Sequence, residues 1–127
     1  MAGGIDAGRQ ALENAGITPE RIGLLIYGGV CRENLEPATA CAVADGLGLG
    51  SQAQIFDLSN ACLGVANGMI MAANAIELGQ IQAALVVSCE SSREIIETTI
   101  DRLNQDFEME AYKEALATLT GGSGAVA

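Results

Sequence analysis

Two nearly continuous apolar runs, 22–27 (Ile-Gly-Leu-Leu-Ile-Tyr) and 82–89, and a mixed run at 53–58 alternate along this chain with segments of helical spacing. Uninterrupted apolar runs of this length are the pattern of strands covered on both faces. Strand, helix, strand, helix, strand in that order implies parallel pairing through right-handed crossovers. The chain has 127 residues, half of them apolar and only 3% aromatic, with 21 alanines and 16 glycines. Its core must therefore be built from Ala, Val, Ile and Leu, with backbones close together. The expected class is α/β, a largely parallel sheet with helices on both faces.

The helices are placed by their breakers. Residues 5–15 are amphipathic, with Ala7, Ala11, Leu12 and Ala15 on one face, and Gly16 ends them. Gly28 and Gly29 end the first strand, and a loop of mixed polarity covers 30–36. Pro37 is expected to open the next helix in its first turn, where its missing N–H is harmless. That helix ends near Gly46-Leu47-Gly48. Ser59-Asn60 is expected to cap a long helix starting at Cys62 and closed by Gly79. Residues 90–105 carry Ile95, Ile96, Ile100 and Leu103 at helical spacing, and 108–119 form another helix. The apolar run 61–78 has the length of a membrane span. Gly64, Asn67, Gly68, Asn74 and Glu77 interrupt it, which favours a buried core helix. The final residues 121–127 read as a glycine turn and the start of a strand. Both ends read as cut, the pattern of a fragment.

Six basic against sixteen acidic residues give a formal net charge of −10. Such a surface repels phosphate backbones and anionic lipid heads, so neither nucleic acid nor membrane is an expected partner. Histidine is absent. Cys31, Cys41, Cys62 and Cys89 contain no C-x-x-C pair, so no zinc pattern fits, and no metal or cofactor is expected. The first residues lack the layout of a signal peptide. A reducing, cytoplasmic compartment with free thiols is the expectation. Cys31 and Cys41 read as core or interface residues.

The most informative stretch is 54–64, Gln-Ile-Phe-Asp-Leu-Ser-Asn-Ala-Cys-Leu-Gly. A strand runs into a tight turn, and Cys62 is expected in the first turn of the helix that follows. Free N–H groups and the helix dipole there favour a thiolate and can hold a substrate carbonyl oxygen. This suits a thiol that attacks a thioester. On the motif alone, a buried small thiol is the plainer reading.

The segment Asp57-Leu-Ser-Asn-Ala-Cys-Leu-Gly64 resembles the nucleophile motif of thiolase-fold condensing enzymes. Similarity extends to Ala84-Leu-Val-Val-Ser-Cys-Glu90 and to Leu119-Thr-Gly-Gly-Ser-Gly-Ala-Val-Ala127. Within that superfamily the chain resembles beta-ketoacyl-ACP synthase III. Asn60-Ala-Cys62 and Cys31-Arg-Glu-Asn-Leu-Glu-Pro37 bring it nearest the branch that joins two fatty acyl-CoA molecules head to head in olefin synthesis. The resemblance implies residues 1–127 to be the central part of the amino-terminal thiolase-like half-domain, truncated at both ends and lacking the carboxy-terminal half. It implies an acyltransferase of fatty acid biosynthesis, a cytoplasmic homodimer acting on acyl-CoA or acyl-ACP thioesters by Claisen condensation. Carried over, Cys62 is the acyl-accepting nucleophile. Glu36 matches a glutamate that reaches the partner's site as the base removing an alpha proton; a solvated Glu at a helix start is the alternative. Gly121, Gly122 and Gly124 resemble the loop shaping the acyl pocket, or alternatively form a tight turn needing positive φ. Glu90 also matches the branch and reads as structural. The family's catalytic His and Asn lie in its second half, so the fragment itself is expected to be inactive. A non-catalytic thiolase-like subunit and a Cys-dependent thioester hydrolase are the rival functions.

Overall fold

The computed structural model describes residues 2–105, 108–119 and 123–127. The chain forms two compact units, one reaching to Cys89 and including Ala125–Ala127, the other spanning Glu90–Gly124. The first unit runs through α1 (Ala2–Ala15), a 3-10 turn (Pro19–Arg21), β1 (Ile22–Gly28), α2 (Thr39–Leu47), β2 (Gln54–Leu58), α3 (Gly64–Glu77) and β3 (Ala83–Ser91). A strand β4 (Ser123–Val126) lies beside β3 in the sheet order β2-β1-β3-β4, and β1 pairs parallel with both β2 and β3. This is the expected α/β class.

Leu12 of α1 and Ala40, Val43 and Leu47 of α2 join Leu25, Tyr27, Leu85 and Val87 in the larger core cluster. Ala72 of α3 joins Leu24 and Ile26, with Phe56, Ala84 and Val86 partly buried around them. Ile22 and Leu25 share a cluster although three residues apart, which strict alternation forbids. A register shift at Gly23 explains it. A Cβ there would stand 2.7 Å from Ile81 Cγ2, so only glycine fits.

Three sequence expectations are corrected. Helix α1 starts at Ala2 rather than residue 5, and it buries Gly4, Gly8 and Leu12 while Ala15 is exposed. Glycine is a weak helix former, which conceals this face in the sequence. Its small size lets the helix lie close: a Cβ at Gly8 would come 2.9 Å from Leu47 Cδ1.

Pro37 does not open α2. It follows Glu36 through a cis peptide bond and belongs to the loop, and α2 starts at Thr39. The cap is supplied from a distance. Asp57 of β2 accepts hydrogen bonds from the Thr39 N–H (2.9 Å) and the Ala40 N–H (2.8 Å), one to each carboxylate oxygen.

Nor is α3 a wholly buried helix. It buries the stripe Gly64, Gly68 and Ala72, while Met69 and Ile70 are 60% and 59% exposed. The small stripe brings the helix onto the sheet, with a Cβ at Gly68 falling 2.9 Å from Val86 Cγ1. Val65, Met69 and Ile76 border an open apolar cleft of about 590 Å³. Among the described residues no helix is long and apolar enough to cross a membrane.

The second unit contains α4 (Arg93–Gln105) and α5 (Met109–Leu119), packed against each other with Leu103 buried. Its ion pairs, Arg93–Glu97 and Lys113–Glu110, are exposed and join residues of one helix. Such pairs contribute little to stability.

Candidate active site

The carboxyl ends of the parallel strands β1, β2 and β3 share one edge of the sheet, where open α/β folds place ligands. Cys62 stands on this edge, in the turn between β2 and α3. The turn is tight. The Leu63 N–H donates to Asn60 O (2.9 Å) and the Gly64 N–H to Ala61 O (3.3 Å), and Asn60 forms an isolated bridge with Cys62. Ala61 holds φ at +45°. That left-handed conformation costs a non-glycine residue about 1–2 kcal/mol. The Asn60 side-chain amide donates to Asn67 Oδ1, tying the turn to the first full turn of α3.

Helix α3 begins at Gly64 with Leu63 at its N-cap, so Cys62 precedes α3 rather than lying in its first turn. No side chain caps α3 at Leu63. Cys62 is exposed, unlike a packed core thiol. The turn is mounted on β1 by backbone contact. A Cβ at Gly28 would meet Gly64 C at 2.7 Å, and one at Gly64 would meet Gly28 C at 3.1 Å. Neither position has room for a side chain.

The loop from 29 to 38 leaves the same edge of β1. Its start is held at the buried Tyr27, whose hydroxyl lies 2.6 Å from Cys89 O and 3.0 Å from Cys31 O. Its end is held by Asp57 through the first amides of α2. Glu36 lies between these two points and is exposed. Among the described residues no hydrogen bond or ion pair joins it to the Cys62 turn.

A strand running into a left-handed turn that presents a cysteine ahead of a helix, beside a long loop from the neighbouring strand, can be compared directly with known proteins. The family model described as the thiolase, N-terminal domain matches residues 4–120. The chain belongs to this family. An acyl-CoA:acyl-CoA alkyltransferase of Shewanella oneidensis is 52% identical over 125 residues, covering 98% of this chain and 36% of that protein. A beta-ketoacyl-[acyl-carrier-protein] synthase III of Symbiobacterium thermophilum is 43% identical over 84 residues, covering 66% of this chain and 25% of that protein. Cerulenin-bound OleA of Xanthomonas campestris superposes with a TM-score of 0.91 at 43% identity, covering 97% of this chain and 38% of that one. The chain thus covers between a quarter and about two fifths of the length of these relatives.

Within this thiolase domain the other sequence candidates are distributed unevenly. Gly121 and Gly122 lie outside the described residues. Gly124 lies in β4, exposed, and a Cβ there would meet nothing within 4 Å, so no tight turn demands glycine at that position. Cys41 is exposed on α2, which corrects the core half of its reading as a core or interface residue, whereas Cys31 and Cys89 are half-buried. Among the described residues no group of three or more His, Cys, Asp or Glu gathers as a metal site requires.

Sequence reasoning missed Asp57 and Tyr27, two side chains that hold the loop. Each left a signal: Asp57 is the only charge in the run 53–58, and Tyr27 is the only polar-tipped residue in 22–27.

Proposed function

We propose that this chain is the amino-terminal half-domain portion of a condensing acyltransferase that joins two acyl thioesters through an acyl group on Cys62. The Cys62 thiolate attacks the carbonyl carbon of an acyl thioester, and the carrier thiolate leaves. Glu36 of a partner protomer then removes an alpha proton from a second acyl thioester. The resulting carbanion attacks the acyl-cysteine carbonyl, the C–Sγ bond breaks, and a beta-keto thioester leaves with the Cys62 thiolate restored. The observation that carries this reading is the exposed Cys62 on a left-handed turn at the carboxyl edge of the sheet.

Acyl-CoA is the favoured carrier. The support is the name of the 52%-identical alkyltransferase, together with the net charge of −10, which disfavours an acidic carrier protein. A homodimer is proposed because the resemblance implies that the loop bearing Glu36 reaches the partner's site, and Glu36 is exposed on that loop. The remaining catalytic groups belong to the second half-domain, so the 127 residues alone are proposed to be inactive.

The test is intact-mass measurement of the full-length protein after mixing with a long-chain acyl-CoA. Wild type gains one acyl group and Cys62→Ser gains none. Acylation or turnover of the Cys62→Ser protein at the wild-type rate would remove Cys62 from the mechanism. Free acid as the sole product would favour hydrolysis over condensation.

A further inference from the structure

We infer that Arg32 is a binding residue for the phosphate groups of an acyl-CoA, drawing the anionic carrier to the edge of the sheet where Cys62 stands. This rests on the acyl transfer to Cys62 proposed above. Six basic residues face sixteen acidic ones in the chain, for a net charge of −10. Such a surface repels CoA, whose pyrophosphate and 3′-phosphate are anionic. A cation at the point of approach offsets that repulsion locally. Most of the six are engaged elsewhere. Arg9 pairs with Asp6, Arg93 with Glu97 and Lys113 with Glu110, each within its own helix. Arg21 directly precedes β1, at the opposite edge of the sheet, and donates to Gln82 Oε1 at 3.4 Å. Arg102 lies on α4 of the second unit. Arg32 stands on the loop that leaves the carboxyl edge, and among the described residues no ion pair or hydrogen bond engages its guanidinium.

The backbone around Arg32 is held while its side chain is not. The Tyr27 hydroxyl donates to Cys31 O at 3.0 Å, and Val30, Cys31 and Glu33 each take part in a further interaction. Arg32 itself is exposed. A guanidinium on a held backbone meets a phosphate with little ordering left to do, and its fork of donors matches phosphate oxygens in pairs. The spacing suits a carrier whose thioester sits at Cys62. Gly28 and Gly64 are in backbone contact, Cys62 is two residues from Gly64, and Arg32 is four residues from Gly28. The Cα atoms of Arg32 and Cys62 are therefore no more than about 25 Å apart. The pantetheine arm of CoA places the pyrophosphate about 16 Å from the thioester sulfur, and an arginine side chain extends about 7 Å. Glu33 and Glu36 are the other charges of the loop, so without Arg32 it would present negative charge alone.

The experiment follows single-turnover acylation of Cys62 in the full-length protein by intact mass. The acyl donor is either myristoyl-CoA or S-myristoyl-pantetheine, which lacks the phosphates, each over a range of concentrations. Arg32→Gln is expected to raise the myristoyl-CoA concentration at half-maximal rate about fivefold with the plateau rate unchanged, the upper range for loss of an exposed ion pair. Arg32→Lys, which keeps the charge but not the fork, is expected to fall between the two. Added salt should narrow the difference between wild type and Arg32→Gln. With S-myristoyl-pantetheine the two proteins are expected to be equal. An equal loss on both thioesters, or no loss on myristoyl-CoA, overturns the inference. If wild type takes no acyl group from either thioester, the acyl transfer itself fails and the role of Arg32 falls with it. If wild type is acylated by both and Arg32→Gln matches it on both, only the role of Arg32 fails.

Discussion

Replacing Gly28 with alanine tests whether backbone contact sets the position of the cysteine turn. The added methyl carbon would stand 2.7 Å from Gly64 C and 2.9 Å from both Gly64 O and Val65 N. Carbon contacts settle near 3.5 Å or beyond, so the first turn of α3 must retreat by about 0.8 Å. Main-chain atoms have no rotamer by which to yield. Overpacking of this kind costs about 1–3 kcal/mol. Loss of glycine from the unfolded chain offsets about 0.4–1 kcal/mol of it, leaving a net destabilisation of about 1–2 kcal/mol. The chemical effect is separate and larger, because a displacement near 1 Å at a nucleophile lowers its rate about 100-fold. Thermal unfolding and the single-turnover acylation rate of the full-length protein measure the two effects. Gly124→Ala serves as the stability control, since its added carbon meets nothing and the change should stay within about 0.5 kcal/mol. If Gly28→Ala is as stable as that control and acylates at the wild-type rate, the Gly28–Gly64 contact does not place Cys62.

Removing the carboxylate that caps α2, by Asp57→Ala, should destabilise the fold by about 1–2 kcal/mol. Asp57→Asn, which keeps one acceptor oxygen, should lose about half as much; urea unfolding reads both, and no change in midpoint for Asp57→Ala would refute the cap. Ile70→Lys on the outer face of α3 should alter the stability of the 127-residue chain by no more than about 0.5 kcal/mol, because that side chain is 59% exposed. A loss several times larger in the same unfolding assay would mean that the face is covered.

The alternation of strands and helices was legible because β1 is buried on both faces and β3 is buried on one and partly buried on the other, so both read as apolar runs. The turn between β2 and α3 was legible, but the start of α3 was placed two residues too early. Sequence spacing carried α3 back to Cys62, whereas Ala61 adopts a conformation that alanine rarely takes, and no pattern of residue types announces it. The start of α2 was hidden for a different reason. Its cap comes from Asp57, eighteen residues further along the chain, and becomes adjacent only once β2 pairs with β1. In α1 and α3 two of the three buried positions are glycines, which a search for large apolar residues passes over; in α1 only Leu12 of the buried set is large. Glu36 is singled out only by resemblance, since its exposed position does not distinguish it from a solvated surface acid.

The two faces of the sheet are bound with unequal strength. The side covered by α1 and α2 buries many large side chains, whereas α3 contributes a stripe of glycine and alanine. Proteins open in cooperative pieces, and the piece with least buried apolar surface opens at the lowest free energy. Among the helices that cover the sheet in the first unit, that piece is α3 together with the turn it anchors. The lifetime of the Cys62 geometry is therefore governed by a local opening equilibrium rather than by global unfolding. Substitutions that weaken the α1–α2 core can lower the melting temperature while leaving that equilibrium, and the fraction of molecules with a correctly held nucleophile, unchanged.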